Sequence, residues 1–303
     1  MIRPLMLADV FRLLGVKGQE WATTPQTLFS QSYRFSVRGF LLGRPWLRRR
    51  GGSWIAVKGR RVQGVVSARP TAGPSSWLVD HLVTLEGDGA YCGELLDAVA
   101  LKASRCGAER LFLHPPDNWH LGEIVRHSGF SLCTTVLAFT LPGRRALLGM
   151  EPPPGFRPRL PADDHSLFRL YNAATPAGIR SAMGVTLQQW KDAQEPSGRR
   201  TREVVVEHQG AVKAWGRLDR ASRWVRVRTV LHPDWSGDQA QVVALVLQEA
   251  GPRPVLWDVP AYQPELRTIL ERTGFELVGS YHVMVRPLAA LLRRPSLAPA
   301  KVV

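Results

Sequence analysis

The chain has 303 residues, 45% hydrophobic and 21% charged, which is enough apolar material for one or two packed cores and excludes a disordered or low-complexity protein. Its formal net charge is +15, and 34 of its 40 basic residues are Arg. No apolar run approaches the ~18 residues of a membrane span, and the three cysteines, an odd and sparse set, fit a reducing cytoplasm rather than a disulfide framework.

In chain order, Ile2-Arg3-Pro4 opens the sequence without the long apolar stretch of a signal peptide. Asp9 then precedes an amphipathic stretch through Phe11, Leu13 and Leu14, as an acidic residue at a helix start should. The segment from Trp21 to Arg50 is aromatic and basic, with no regular period. A hairpin is predicted from Trp54-Val57, a turn over Lys58 to Arg61, and Val62-Ser67. A long strand, Trp77 to Leu85, leads into a helix from Tyr91 to Arg105. Cys92, Leu95, Leu96 and Val99 share one face of that helix. The strand around Leu111-Phe112-Leu113, a helical stretch, the pair Gly129-Phe130 and a closing strand complete this half.

The second half repeats the first. Gly129-Phe130 returns as Gly274-Phe275, an offset of 145, and Leu111-Phe112-Leu113 returns as Leu256-Trp257-Asp258. Arg3-Pro4 followed by Ala8-Asp9 returns as Arg157-Pro158 followed by Ala162-Asp163. Residues 149–156 hold three consecutive prolines, which stiffen a linker. The expected organisation is a domain over 1–148, this linker, a second domain over 157–292 and a disordered tail over 293–303. Strands alternating with helices give a mixed α/β sheet with helices on both faces.

This order, met twice, resembles the GNAT superfamily of acyl-CoA-dependent N-acyltransferases, in tandem over nearly the whole chain. The resemblance implies a loop that wraps the diphosphate of acetyl-CoA or another acyl-CoA with backbone N–H groups. It also implies a carboxylate that deprotonates the attacking amine. In the first half the loop falls on Gly87, Gly89, Ala90, Cys92 and Gly93, with backbone donors from Val83 and Thr84 for the thioester. The base falls at Asp80, or Glu86 through water. Period two places Asp80, Leu82, Thr84 and Glu86 on one face. An equal alternative is an Asp80 satisfied by backbone or Arg partners. In the second half Gln239 and Gln241 stand where glycines are needed, so weak or no acyl-CoA binding is expected there.

Arg226 and Arg228, on one face of the second central strand, are candidates to grip an anionic substrate or the partner half. His114, His120, His127 and Cys133 match no zinc spacing. The scattered Arg clusters carry no interleaved aromatics and favour a solvated surface over a nucleic-acid tract. The resulting expectation is an N-acyltransferase acting on a small-molecule or peptide amine, with its chemistry in the N-terminal half. The competing one is an inactive GNAT-like scaffold that binds an anion or partner through its arginines. The oligomeric state and the identity of the acceptor are left open.

Overall fold

The structure, a computed structural model, describes residues 1–13, 18–30, 33–35, 37, 40, 51–59, 61–85, 89–117, 121–141, 152–235 and 237–289. Glu86, Gly87 and the tail 293–303 lie outside the described residues. The strands of the first half are β1 (Ile2–Pro4), β2 (Gln19–Glu20), β3 (Gly52–Lys58), β4 (Arg61–Pro70), β5 (Ser76–Thr84), β6 (Arg110–Leu113) and β7 (Ser131–Leu141). Those of the second are β8 (Phe156–Pro158), β9 (Thr201–His208), β10 (Ala211–Arg220), β11 (Val225–Leu231), β12 (Val255–Pro260) and β13 (Glu276–Pro287). The helices are α1 (Val10–Leu13), α2 (Pro25–Ser30), α3 (Cys92–Arg105), α4 (Gly122–His127), α5 (Asp164–Ala174), α6 (Ala177–Met183), α7 (Leu187–Ala193), α8 (Gln239–Ala250) and α9 (Pro264–Arg272).

All strands join one mixed sheet, in the order β1-β3-β4-β5-β6-β13-β7-β12-β11-β10-β9-β8, with β2 added to β5. The closing strands are exchanged between the halves. β13 lies antiparallel to β6, with Met284 opposite Leu113, while β7 lies antiparallel to β12, with Ala138 opposite Asp258. The two exchanged strands also pair with each other. Each half therefore finishes its sheet with a strand from the other half.

The sequence repeat has a physical cause at both of its signatures. Arg3 makes a bidentate ion pair with Asp9, whose Oδ2 also accepts the Met6 N–H; Arg157, Asp163 and the Leu160 N–H repeat this arrangement. A charge-assisted clamp thus ties the first strand of each half to the turn that follows it. At the other signature, Gly129 (φ +80°) and Gly274 (φ +89°) end α4 and α9 in the left-handed region. The next residues, Phe130 and Phe275, donate back to Val125 and Leu270 and bury their rings in the two cores.

On one face of the first half, α3 covers Trp21, Trp77, Leu82 and Leu111; in the second, α8 and α9 cover Val227, Trp257 and Phe275. A third cluster spans the exchanged strands and joins Phe112, Leu256, Tyr281 and Val283 to Leu28 of α2. Phe29 of α2 stacks on Trp224, ring centroids 5.5 Å apart. The described beginning of the long aromatic segment is thus a packing arm between halves. Among the described residues no helix is long and apolar enough to cross a membrane.

Candidate functional site

In each half two parallel central strands run together and then lose their pairing. The β5–β6 ladder covers Ser76–Leu78 against Arg110–Phe112, and the β11–β12 ladder covers Val225–Arg228 against Val255–Asp258. Beyond these points β5 continues to Thr84 and β11 to Leu231, so each half has a cleft where one strand edge has lost its neighbour. The halves treat this cleft in opposite ways.

In the first half the chain fills its own cleft. Gln19 and Glu20 of β2 pair with Thr84 and Val83, and the Trp21 and Thr23 N–H groups donate to the Leu82 and His114 carbonyls. Glu20, itself buried, accepts the Leu82 N–H at 3.0 Å through Oε1. Trp21 is 1% exposed and donates its ring N–H to Thr84 Oγ1 at 2.8 Å. Val83 and Thr84, expected to offer backbone donors to a thioester, are taken up by β2. A tryptophan and a short strand occupy the space beside them.

The structure places the described N-terminal candidates as follows. The register against β4 shifts between the Ser67–His81 and Ala68–Val79 pairs, leaving Asp80 as the extra residue of a bulge. The bulge breaks period two. Ala68, Val79 and Leu82 share the core under α3, and Asp80 instead accepts Arg69 Nε at 2.9 Å. Gly89 has φ +64°, and a Cβ there would meet Leu121 Cδ2 at 2.5 Å, so its glycine is required by the turn and by α4. Cys92 is buried under the sheet, which pushes its thiol up to about 12. Gly93 faces Ser128 Oγ across the α3–α4 contact, and Ala90 is exposed. Tyr91, at the N-cap of α3, makes no side-chain capping bond.

In the second half the cleft stays open. A cavity of ≈ 180 Å³ is walled by Leu167, Leu170 and Tyr171 of α5, Trp190 of α7, Trp215 of β10, Arg228 and Thr229 of β11, and Asp258 of β12. Val136 of β7 and Tyr281 of β13 complete it from the exchanged strands. The N-terminal half also holds α7 in place. Ala72 N–H donates to the Gln194 carbonyl, and Ser75 Oγ donates to the buried Asp192 carboxylate at 2.6 Å.

Beneath the cavity runs a network of charges. Arg226, 8% exposed, donates to Asp258 Oδ2 at 2.6 Å and to Glu195 at 2.9 Å. Arg228 donates to Glu195 and Asp219, and Arg217 to Asp219. Tyr281 Oη donates to Asp258 Oδ2 at 3.2 Å. Burial alone would raise the Glu195 carboxyl, but Arg226, Arg228 and Arg217 hold it well below the usual carboxylate range. Burial, then the Asp258 charge, raises the Tyr281 phenol and keeps it protonated. His114, whose ring lies 5.5 Å from that of Tyr281, is pushed down to about 4 by burial and by Arg226.

Several polar atoms on this wall have no hydrogen-bond partner: Asp258 Oδ1, Arg228 Nε and Tyr171 Oη. Past the cavity, sharing Tyr262 with it, is a smaller cleft between Leu231, His232, Gln239 and Gln263. Gln263 is 6% exposed, and neither Nε2 nor Oε1 of its amide is paired. Buried polar groups ordinarily find partners, which makes this cavity the candidate site. Of the sequence candidates, Arg228 lines this cavity and Arg226 lies beneath it; Asp258, Glu195, Tyr171, Tyr281 and Gln263 were not among them. Asp258 carried a signal: it is the one charge in the run Val255-Leu256-Trp257-Asp258-Val259, where the first half has Leu113.

No protein-family model matches the sequence, and no curated protein matches it. Among solved structures, the chain is similar to a GCN5-related N-acetyltransferase from Sphaerobacter thermophilus, at 15% identity over 96% of this chain and 97% of that one, with a TM-score of 0.53. It is also similar to a tandem GNAT protein from the clavulanic acid biosynthesis pathway, at 15% identity over 95% and 98% of the two chains, with a TM-score of 0.51. Likenesses at this identity speak for the fold: the chain folds as two tandem GNAT-like units that share one mixed α/β sheet.

Proposed function

We propose that the protein is an acyl-CoA-dependent N-acyltransferase that holds its amine acceptor in the C-terminal cavity beside Asp258. The observation that carries this reading is the unpaired Oδ1 of a 2%-exposed carboxylate on the wall of an open cleft. The N-terminal cleft is filled by β2 and Trp21.

Fit to the donor differs along its length. Gln263, with a buried and unpaired amide, fits the amide-bearing arm of acyl-CoA in the cleft beside Leu231 and Tyr262. The diphosphate end fits less well. Asp238 caps α8 by accepting the Gln241 N–H at 2.9 Å, which puts a carboxylate among the amides a diphosphate would use. When bound, acyl-CoA supplies an acyl group activated as a thioester. Arg226 and Tyr281 fix Asp258 through Oδ2, which leaves Oδ1 to accept a hydrogen bond from the acceptor ammonium and to take its proton. The rings of Tyr171, Trp190 and Trp215 shield the amine from water and favour a cation over their faces. The three cysteines are unpaired, in keeping with a reducing compartment such as the cytoplasm.

A second reading, a GNAT-like binding module without transfer, is favoured by the Asp238 cap alone. Calorimetry of acetyl-CoA on the full chain separates the two. Binding that weakens in Gln263→Leu supports the transferase. Absence of binding at millimolar acetyl-CoA would leave the binding module.

A further inference from the structure

The β11–β12 ladder sets Arg228 directly opposite Asp258, and both side chains line the same cavity. Adjacent opposite charges would ordinarily pair, yet each is directed elsewhere. Arg228 uses Nη1 and Nη2 for Glu195 and Asp219, and Asp258 uses Oδ2 for Arg226 and Tyr281. One donor, Arg228 Nε, and one acceptor, Asp258 Oδ1, are left buried and without a partner, on two residues that line the cavity. Around them the connected network is balanced: Arg159, Lys191, Arg217, Arg226 and Arg228 against Asp164, Glu195, Glu203, Asp219 and Asp258. A ligand with net charge would upset that balance in a site of low dielectric, whereas a zwitterion leaves it intact.

We propose that the cavity binds a free α-amino acid with an apolar side chain. Its ammonium meets Asp258 Oδ1, its carboxylate meets Arg228 Nε, and its side chain lies among Leu167, Trp190 and Trp215. This rests on reading the cavity as the acceptor site and narrows the acceptor to a class that carries both charges. A simple amine leaves the Arg228 N–H buried and unmet, and a simple acid leaves the Asp258 oxygen so. Either omission costs the desolvation of a charged group without return. The amino group that Asp258 deprotonates becomes the nucleophile: its nitrogen forms a bond to the thioester carbonyl carbon and then gives up a second proton to solvent, the carbon–sulfur bond breaks, the released thiolate takes a proton from solvent, and Asp258 returns its own proton to solvent. The product is an N-acyl amino acid.

The test is calorimetry on the full chain without acyl-CoA, using L-phenylalanine and L-leucine. Each is compared with the matching amine (phenethylamine, isopentylamine) and the matching acid (3-phenylpropanoate, 4-methylpentanoate). At least one amino acid is expected to bind about tenfold or more tighter than its amine and its acid. Arg228→Lys keeps a charge for Glu195 and Asp219 but loses the Nε–H, and should erase the preference over the amine. Asp258→Asn should erase the preference over the acid. Equal binding of amino acid and amine by the unaltered protein would overturn the proposal, as would no binding of either amino acid at 10 mM, a level of about 3 kcal/mol. Amino-acid binding without acyl transfer would uphold this inference while removing the transferase reading, so the two fail separately.

Discussion

Arg228 and Asp258 face each other across two parallel strands without pairing, and the cavity they line is built by both halves of the chain. Val136 and Tyr281 come from the exchanged strands, and α7 is pinned by the turn after β4. The N-terminal half thus acts as the support, and the C-terminal half presents the open cleft.

Strand exchange makes the halves interdependent. Residues 1–150 alone lack β13, which pairs with both β6 and β7, and residues 151–303 lack β7, which pairs with β12. Neither fragment is expected to give a dispersed proton NMR spectrum, whereas the two co-expressed should co-purify as a folded pair. A well-dispersed spectrum from either fragment alone would contradict the exchange.

Trp21 is the plug of the N-terminal cleft, fully packed and bonded to Thr84. Trp21→Ala should lower unfolding stability by roughly 3–5 kcal/mol. Denaturant titration checks this, and a loss below about 1 kcal/mol would mean that β2 is not seated as described.

How much of this was legible in the sequence depends on whether local or distant physics decides each feature. The glycine that ends α4 or α9 and the Arg–Asp clamp are local, so Gly129, Gly274, Arg3-Asp9 and Arg157-Asp163 announced the repeat. Gln19-Glu20 has no strand period and becomes β2 only because the β5 edge lacks a neighbour. The exchange was equally hidden, since β7 and β13 have similar patterns and either could close either sheet. Asp80 fell on the expected strand, but a single bulged residue moved it off the face of Leu82. Arg226 and Arg228 were candidates to grip an anion or the partner half, and their carboxylate partners were hidden because Glu195 and Asp258 reach them from distant parts of the chain.

The Asp238 carboxylate is the main obstacle to a diphosphate at α8. Asp238→Asn keeps a capping side chain and removes the charge, so acetyl-CoA should bind roughly two- to fivefold tighter. Calorimetry reads this directly, and unchanged or weaker binding would place the diphosphate elsewhere.

Acid sensitivity should trace to His114. Its ordinary value of 6.5 falls to about 4 in the fold, through burial first and Arg226 second. The unfolded chain therefore binds the extra proton first. Stability is intact above pH 6.5 and declines as pH falls from 6.5 towards 4. His114→Phe keeps a ring against Tyr281 and should flatten the fall of Tm in that window. An unchanged slope would assign the acid sensitivity to other groups.

The most direct test of the whole account compares two carboxylates, one in each half. Acyl transfer from acetyl-CoA to L-phenylalanine or L-leucine is measured for the full chain, for Asp258→Asn and for Asp80→Asn. The account predicts that Asp258→Asn loses about a hundredfold or more in kcat, while Asp80→Asn, which weakens the ion pair with Arg69, stays within about twofold of the unaltered rate. Loss in Asp80→Asn with activity retained in Asp258→Asn would return the chemistry to the N-terminal half and contradict the account.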